Sequence, residues 1–156
     1  MNPYLEALEP KLSTLDFKKL SAIDNPIVHE FIAKESDLCQ PKDIFICSDS
    51  PEDINFMRKQ SIAQGEEQAI LTMPGHTVHF DGEYDQGRDR QATKYLVPKG
   101  LALSKALNQI DRQEGLAEVR GLLRDSMLGK TMIVRFISLG PKDSIFTILG
   151  LQCTDS

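Results

Sequence analysis

The stretch TMIVRFISLGPKDSIFTILGLQC, residues 131–153, decides the fold. Its two ends, residues 131–137 and 145–153, are apolar runs of strand length that are rich in β-branched residues and phenylalanine. Between them lies GPKD, residues 140–143, which is a turn signal because glycine and proline interrupt regular structure. The pattern predicts two neighbouring strands, which are antiparallel if residues 140–144 make a tight connection.

A second signal lies upstream, where a short apolar run is followed by a helix start. Residues 43–47, DIFIC, predict a strand. Ser50 is a typical helix cap, and Pro51 after it is favoured in the first helical turn. We expect this helix to stop at Gly65, because glycine readily adopts the left-handed conformation that follows many helices.

Weaker signals complete the outline. Asn25 and Pro26 predict the start of an earlier helix, whose apolar stripe consists of Ile27, Val28, Phe31 and Ile32. Short strands are predicted at residues 69–73 and 77–80, and residues 95–97 are predicted to re-enter the core. A further helix that ends near Gly129 is predicted from apolar residues at helical spacing: Leu116, Val119, Leu122, Leu123 and Met127.

Together these elements predict an α/β fold, with α+β as the alternative, built on a mixed sheet with flanking helices. Residues 1–42 are interpreted as a helical lead-in and residues 43–156 as the main domain. We expect the two parts to form one structural unit, since 156 residues suit a single domain with one core.

Composition excludes several classes of protein. A net charge of -5 and a pI near 5.2 argue against a general nucleic-acid-binding surface. The three cysteines form no CxxC pair, which is typical of a reducing compartment. No apolar run approaches the roughly 20 residues that cross a bilayer, and the first residues lack a signal-peptide pattern. We therefore expect a cytoplasmic protein with neither a nucleic acid nor a membrane as partner.

Two motifs that carry chemistry in other proteins are interpreted here as structural. LGKT, residues 128–131, ends like a phosphate loop, but Arg124 occupies the place of its first glycine and a helix precedes it instead of a strand. His76 and His79 are three residues apart, so they face opposite sides of a strand, and no second group at metal-ligand spacing follows. We predict no metal site here and no chemistry for the three cysteines.

The polar segment between residues 80 and 94, interpreted as a surface loop, is the candidate binding site. Arg88 and Arg90 can present planar, permanently charged forks to carboxylate or phosphate oxygens, which suits a small dianion. Lys94 and Lys99 add positive charge nearby. The alternative is a solvated loop whose basic residues are balanced by its acids: Asp81, Glu83, Asp85 and Asp89.

Residues 129–141, GKTMIVRFISLGP, and the run that ends in TDS at 154–156 resemble the GTP-type phosphoenolpyruvate carboxykinases. That family has a similar Gly-basic-Thr-Met strand, a Phe-Ser-Met-Gly-Pro turn and a strand ending in Thr-Asp-Ser. Residues 44–47, IFIC, followed by Ser50, resemble the same family's Ile-x-Ile-Cys-Asp-Gly-Ser entry into a helix. The resemblance implies the N-terminal, substrate-side portion of such an enzyme, extending from Asp43 to the end.

The resemblance also implies which residues bind substrate. In the GTP-type enzymes an Arg-x-Glu-Ser-Lys-Thr loop contacts the substrate carboxylate, which selects Arg90 as the substrate arginine and Lys94 as the lysine, with Ala92 in place of the glutamate. The ATP-type Gly-Arg-Ser-Pro-Lys-Asp-Lys-Tyr pattern matches Gly87 and Arg88 instead. Both registers stay open, as does a divergent or pyrophosphate-dependent member of the family.

A complete enzyme of this family converts oxaloacetate and a phosphoryl donor into phosphoenolpyruvate and carbon dioxide. The resemblance implies GTP or another donor and a divalent metal, manganese or magnesium, both held outside this segment. The expected partners are a small dicarboxylate or phosphoenolpyruvate and the remaining C-terminal catalytic domain. Alone, the chain is expected to be inactive, and the alternative is a stand-alone anion-binding or regulatory domain.

Overall fold

A computed structural model describes residues 2–82, 93–141 and 143–155. Five α-helices occupy Pro3–Leu8 (α1), Thr14–Ser21 (α2), Pro26–Cys39 (α3), Pro51–Ala63 (α4) and Arg112–Leu123 (α5), and a short 3-10 helix spans Glu9–Lys11. The strands are Asp43–Ile46 (β1), Gln68–Ala69 (β2), Thr77–Val78 (β3), Tyr95–Val97 (β4), Gln109–Asp111 (β5), Thr131–Leu139 (β6) and Ile148–Asp155 (β7). No helix among these residues is long and apolar enough to span a membrane.

The main sheet has the strand order β1-β6-β7. β1 runs parallel to β6, with Ile44 opposite Met132, and β6 runs antiparallel to β7, with Val134 opposite Cys153. The predicted antiparallel pair is therefore confirmed, and so is a mixed sheet with flanking helices. Gly140, with a φ of 121°, begins the connection from β6 to β7.

One face of this sheet forms the core. Side chains alternate along a strand, so Ile44 and Ile46 of β1 share a face with Met132 and Val134 of β6. These four are buried against the first three helices, whose most deeply buried apolar side chains are Leu8, Leu20 and Ile32. The N-terminal helices therefore provide half of the core.

The cap of α3 was predicted correctly, but its buried face was not. The Asn25 side chain accepts a hydrogen bond from the backbone N–H of Ile27 at 3.0 Å, as a cap should. Ile27 is nevertheless 74% exposed, and the buried row is His29, Ile32, Ser36 and Cys39. His29 fits because its ring donates to the Leu20 carbonyl at 3.1 Å and accepts from the Asn2 amide at 2.9 Å.

The unit from β1 to α4 agrees with the prediction. Ser50 caps α4 by accepting from the Asp53 N–H at 3.1 Å, and Gly65 beyond the helix has a φ of 79°. The two strands after it are shorter than predicted: β2 and β3 pair antiparallel over two residues each.

The predicted helix before β6 ends early. α5 stops at Leu123, and residues 124–129 form turns, because the N–H groups of Asp125 and Met127 donate to the carbonyls of Leu38 and Cys39 at 2.9 Å. Met127 is buried there, whereas Leu122 on α5 is 77% exposed. The expected apolar face of this helix is therefore largely exposed in the chain.

Candidate functional site

The sequence-predicted substrate residues Arg88 and Arg90 lie outside the described residues. The structure describes both ends of their segment, up to Gly82 and from Thr93. At the second end, the Lys94 ammonium lies 3.8 Å from a carboxylate oxygen of Glu118 on α5, and the Lys94 side chain is 41% exposed. An exposed pair of this kind contributes little to stability, so Lys94 keeps its charge available to solvent.

His79 lies just before the N-terminal end of the arginine segment and contacts the residues that follow α4. Its ring Nδ1–H donates to the backbone carbonyl of Glu66, just after α4, and its Nε2 lies 3.1 Å from a carboxylate oxygen of Asp81. The hydrogen bond to Glu66, together with Asp81, raises the pKa of His79 above its ordinary value. His79 therefore links the start of the arginine segment to the end of α4.

A cleft of about 680 Å³ lies beside His79, between α4 and the sheet face opposite the core. Gln60 and Ser61 of α4 line one side, while Arg135 of β6 and Thr154 of β7 line the other. Arg135 has no ion-pair partner in the part of the chain that the structure describes. One guanidinium with neutral hydrogen-bonding groups can hold a carboxylate.

Negative charges also line this cleft. Glu66, Glu67 and Asp155 contribute carboxylates, and Asp155 is paired with the Lys130 ammonium. Because these carboxylates repel phosphate groups, the cleft is unsuited to a polyphosphate. Lys130 follows Gly129 and leads into β6, so the predicted turn between helix and strand at residues 128–131 is confirmed.

A buried ionic cluster lies at the carboxyl end of β1, and sequence reasoning missed it. The Lys19 ammonium donates to Asp53 Oδ2 at 2.7 Å and to the Ile46 carbonyl at 3.0 Å, and it lies 3.5 Å from Asp16 Oδ1. Asp16 Oδ1 also accepts from the N–H of Ile46 at 3.1 Å. The cluster therefore joins α2, β1 and α4.

The carboxylates of this cluster are held by two similar helix starts. Ser13 and Ser50 each cap a helix and accept from the N–H of the acid three residues on, Asp16 and Asp53. Ser-x-x-acid is a recognisable start signal and would have located both carboxylates. The signal does not identify Lys19, because that residue is far from Asp53 in sequence.

Electrostatics in the cluster favour the charged forms. Burial alone raises the pKa of Asp53, but the hydrogen bonds from Lys19 and Ser48 outweigh it and leave that pKa lowered. Burial alone lowers the pKa of Lys19, and the hydrogen bond to Asp53 with the charge of Asp16 reverses this and raises it. Each charged side chain of the cluster has an opposite charge within 3.5 Å, so the cluster fixes the relative positions of α2, β1 and α4.

The three cysteines are free thiols. Burial raises the pKa of Cys153 to about 12, and burial also raises the pKa values of Cys39 and Cys47. Because the thiolate is the reactive form, these thiols are poor nucleophiles at neutral pH.

Comparison with known proteins gives the class of this chain. Residues 30–156 match the family model described as the phosphoenolpyruvate carboxykinase N-terminal domain, and the chain belongs to that family.

The chain is also similar in sequence to individual enzymes. The chain is 47% identical over 149 residues to "Phosphoenolpyruvate carboxykinase [GTP]" of Thermococcus sibiricus. The aligned residues cover 96% of this chain and 24% of the relative. It is 45% identical over 156 residues to the enzyme of the same name from Pyrococcus furiosus, covering 100% of this chain and 25% of the relative. The chain thus spans about a quarter of the length of the curated relatives it matches.

Proposed function

We propose that this chain is the substrate-side, N-terminal portion of a GTP-dependent phosphoenolpyruvate carboxykinase. The complete enzyme would convert oxaloacetate and a phosphoryl donor into phosphoenolpyruvate and carbon dioxide. The observation that carries the proposal is the 45% identity over the whole chain to a relative named for this activity and for GTP. That name favours GTP over ATP or pyrophosphate as the donor.

In this proposal the segment that holds Arg88 and Arg90 binds the substrate carboxylate. An arginine fork can form two parallel hydrogen bonds with one carboxylate and so fix its orientation. Holding the dicarboxylate in place lowers the entropic cost of reaching the reactive geometry. Lys94, partly exposed at the end of the segment, adds positive charge to the same site.

The phosphoryl donor and the divalent metal belong, in this proposal, to the rest of the enzyme. Among the described residues, no group of three or more His, Cys, Asp and Glu side chains is placed to hold a metal ion. A bound metal would stabilise the charge of the enolate and of the transferring phosphoryl group. The residues of this chain would bind and orient the dicarboxylate, and we expect the chain alone to be inactive.

Isotope exchange tests whether this chain needs the rest of the enzyme for activity. Labelled carbon dioxide exchange into oxaloacetate is measured with GTP and manganese, for the 156-residue chain and for a chimera in which it replaces the matching quarter of the Pyrococcus furiosus relative. We expect exchange with the chimera and none with the 156-residue chain. Exchange by the short chain would overturn its proposed incompleteness, whereas a folded but inactive chimera would contradict the family function.

Binding measurements identify the substrate arginine. Oxalate is titrated into the folded chimera carrying Arg88→Ala, Arg90→Ala or, as a matched control outside the segment, Arg112→Ala. Loss of one charged hydrogen-bonded pair is expected to weaken oxalate binding by about tenfold or more in one of the two segment variants. Unchanged binding in both would remove the segment from the site, and an equal loss in Arg112→Ala would indicate a general charge effect.

A further inference from the structure

The cleft between α4 and the sheet has no part in the proposed function. Midway along α4, the Phe56 ring lies 4.5 Å from the Phe45 ring of β1, which fixes the helix to this sheet face. The cleft opens beside the following half of the helix, at Gln60 and Ser61. Its volume of about 680 Å³ lies within the range of about 300–1,000 Å³ that is usual for small-molecule sites.

The most buried residue of the cleft is apolar. Ile133 is 3% exposed, and Arg135 lies two positions further along β6, so both side chains share one sheet face. Thr154 of β7 is opposite Ile133, and the half-buried Met57 of α4 lies across the cleft. An aliphatic group bound against Ile133 and Met57 would be removed from water, which favours binding.

Most of the charges that line the cleft have an opposite charge beside them. The Lys130 ammonium is paired with the Asp155 carboxylate. The His79 ring donates to the backbone carbonyl of Glu66 and contacts Asp81, and this hydrogen bond, together with the charges of Asp81 and Glu66, raises the pKa of His79. These groups therefore compensate one another.

One cation and one anion of the cleft differ from the rest. Within the part of the chain that the structure describes, Arg135 and Glu67 form no ion pair, either with each other or with another residue. Glu67 is held beside the end of α4, because its N–H donates to the Ser61 carbonyl at 3.3 Å. The cleft thus offers a guanidinium, a carboxylate and an apolar surface to a single ligand.

We propose that this cleft binds a zwitterionic α-amino acid with an aliphatic side chain. The ligand carboxylate accepts hydrogen bonds from the planar fork of Arg135, the ligand ammonium donates to the Glu67 carboxylate, and the aliphatic group covers Ile133. The proposal goes beyond the proposed function and does not depend on it, because all three residues lie in the described part of the chain outside the arginine segment.

Ligands with a net charge fit the cleft less well. A dicarboxylate would bring its second negative charge into a cleft that already holds the carboxylates of Glu66 and Glu67, while Arg135 compensates only one charge. A simple cation would be attracted by Glu67 and would leave Arg135 without a partner. A zwitterion supplies one opposite charge to each residue.

Titration with L-leucine tests the proposal on the 156-residue chain. Amide shifts are followed by NMR for the cleft residues Gln60, Ser61, Arg135 and Thr154, with the buried Leu20 as the reference. The cleft amides are expected to shift with a dissociation constant of about 1 mM or below, and the Leu20 amide is expected to stay unchanged. Unchanged cleft amides at about 10 mM L-leucine would overturn the proposal.

Three analogues test the three contacts separately. 4-Methylpentanoate lacks the ammonium, L-leucine amide lacks the carboxylate, and glycine lacks the aliphatic group. Each is expected to bind at least about tenfold more weakly than L-leucine, because a charged hydrogen bond or the buried apolar surface is lost. Binding of 4-methylpentanoate or L-leucine amide as tight as that of L-leucine would contradict recognition of a zwitterion, and equal binding of glycine would contradict the apolar contact.

Variants locate the two charged contacts. Arg135→Gln and Glu67→Gln should each weaken L-leucine binding by about tenfold or more. Arg112→Gln and Glu52→Gln remove exposed charges outside the cleft and should leave the affinity unchanged. Equal weakening in the matched controls would indicate a general charge effect and overturn the assignment. If Arg135→Gln fails to fold, Arg135→Lys decides: it keeps the charge and loses the planar fork, so wild-type affinity would contradict the proposed contact.

The Pyrococcus furiosus chimera shows whether the cleft is accessible in a complete enzyme. Calorimetry should give L-leucine the same affinity for the chimera as for the short chain; loss of binding in a folded chimera would overturn the proposal, because the rest of the enzyme would then cover the cleft. If only one of the two proteins folds, its titration decides. Oxalate should not displace L-leucine, and displacement would contradict the proposal by placing a dicarboxylate in the cleft. L-leucine binding by a folded chimera without isotope exchange would contradict the proposed function alone.

Discussion

Removing the carboxylate of Asp53 should destabilise the chain more than any other single charge deletion on α4. Asp53 Oδ2 accepts hydrogen bonds from Lys19 at 2.7 Å, from the Ser48 N–H at 2.8 Å and from the Ser48 hydroxyl at 2.5 Å. The side chains of Lys19 and Asp53 are 18% and 9% exposed, so solvent can replace little of what is lost.

The expected magnitude follows from these contacts. Breaking a buried ion pair by deleting one partner costs about 3–5 kcal/mol, because the other charge stays buried and uncompensated. Lys19 keeps Asp16 at 3.5 Å and the Ile46 carbonyl at 3.0 Å, so we expect the lower end for Asp53→Ala, about 3 kcal/mol. For a domain of this size that corresponds to a fall in melting temperature of roughly 9 °C.

The assay is urea denaturation with thermal melting, both followed by circular dichroism. Glu52→Ala is the matched control, because Glu52 is an exposed acid in the same first turn and should cost less than about 1 kcal/mol. In the double variant Lys19→Met with Asp53→Ala, the total loss should be less than the sum of the two single losses. Equal losses for Asp53→Ala and Glu52→Ala would refute the role assigned to the cluster.

The wild type and Asp53→Ala should also differ in how their free energies of unfolding depend on pH. The pKa of Asp53 is lowered in the folded state, so its stabilisation is present above the ordinary value of 3.8 and is lost as the pH falls through the folded-state value. The free energies of unfolding of the wild type and Asp53→Ala should therefore converge in acid below that ordinary value. A constant difference down to pH 2 would contradict the assignment.

Three further results are expected. Asn25→Ala should lower the free energy of unfolding by about 1 kcal/mol, measured by urea denaturation, because α3 loses its cap; no change would show that the cap is dispensable. With a thiol-specific reagent at pH 7, Cys153 should react far more slowly in the folded chain than in the urea-unfolded chain, because burial raises its pKa to about 12; equally fast labelling of both would contradict that burial. NMR titration should give His79 a pKa above 6.5 that falls in Asp81→Asn; the stability that His79 contributes is present below its unfolded pKa and is lost as the pH rises through the folded value.

Local signals predicted the parts of the fold that depend on neighbouring residues. Ser50 and Pro51 located the start of α4, and Gly65 located its end, because caps and left-handed turns are formed by residues within one helical turn. The turn signal at Gly140 similarly predicted the antiparallel pairing of β6 and β7.

Features that depend on distant residues were not predictable in this way. The apolar stripe of α3 did not show which side the neighbouring helices would cover, and buried His29 needed partners at Asn2 and Leu20. Residues 109–111 carried no recognised strand signal, and they form β5 by pairing parallel with β4. The site residues Arg88 and Arg90 came from their place in a polar segment and from the family resemblance, and they stay a prediction.

The parallel pairing of β1 with β6 has a consequence for how the chain folds. Each paired residue of β1 lies 131 minus 43, or 88 positions, before its partner in β6, so the first pairing must close a loop of that length. The conformational entropy of closure, (3/2)RT ln n, amounts to roughly 4 kcal/mol before any pairing energy is gained. We therefore expect the β6–β7 hairpin and α4 to form early and the β1–β6 ladder late, with the arginine segment inside the last loop to close.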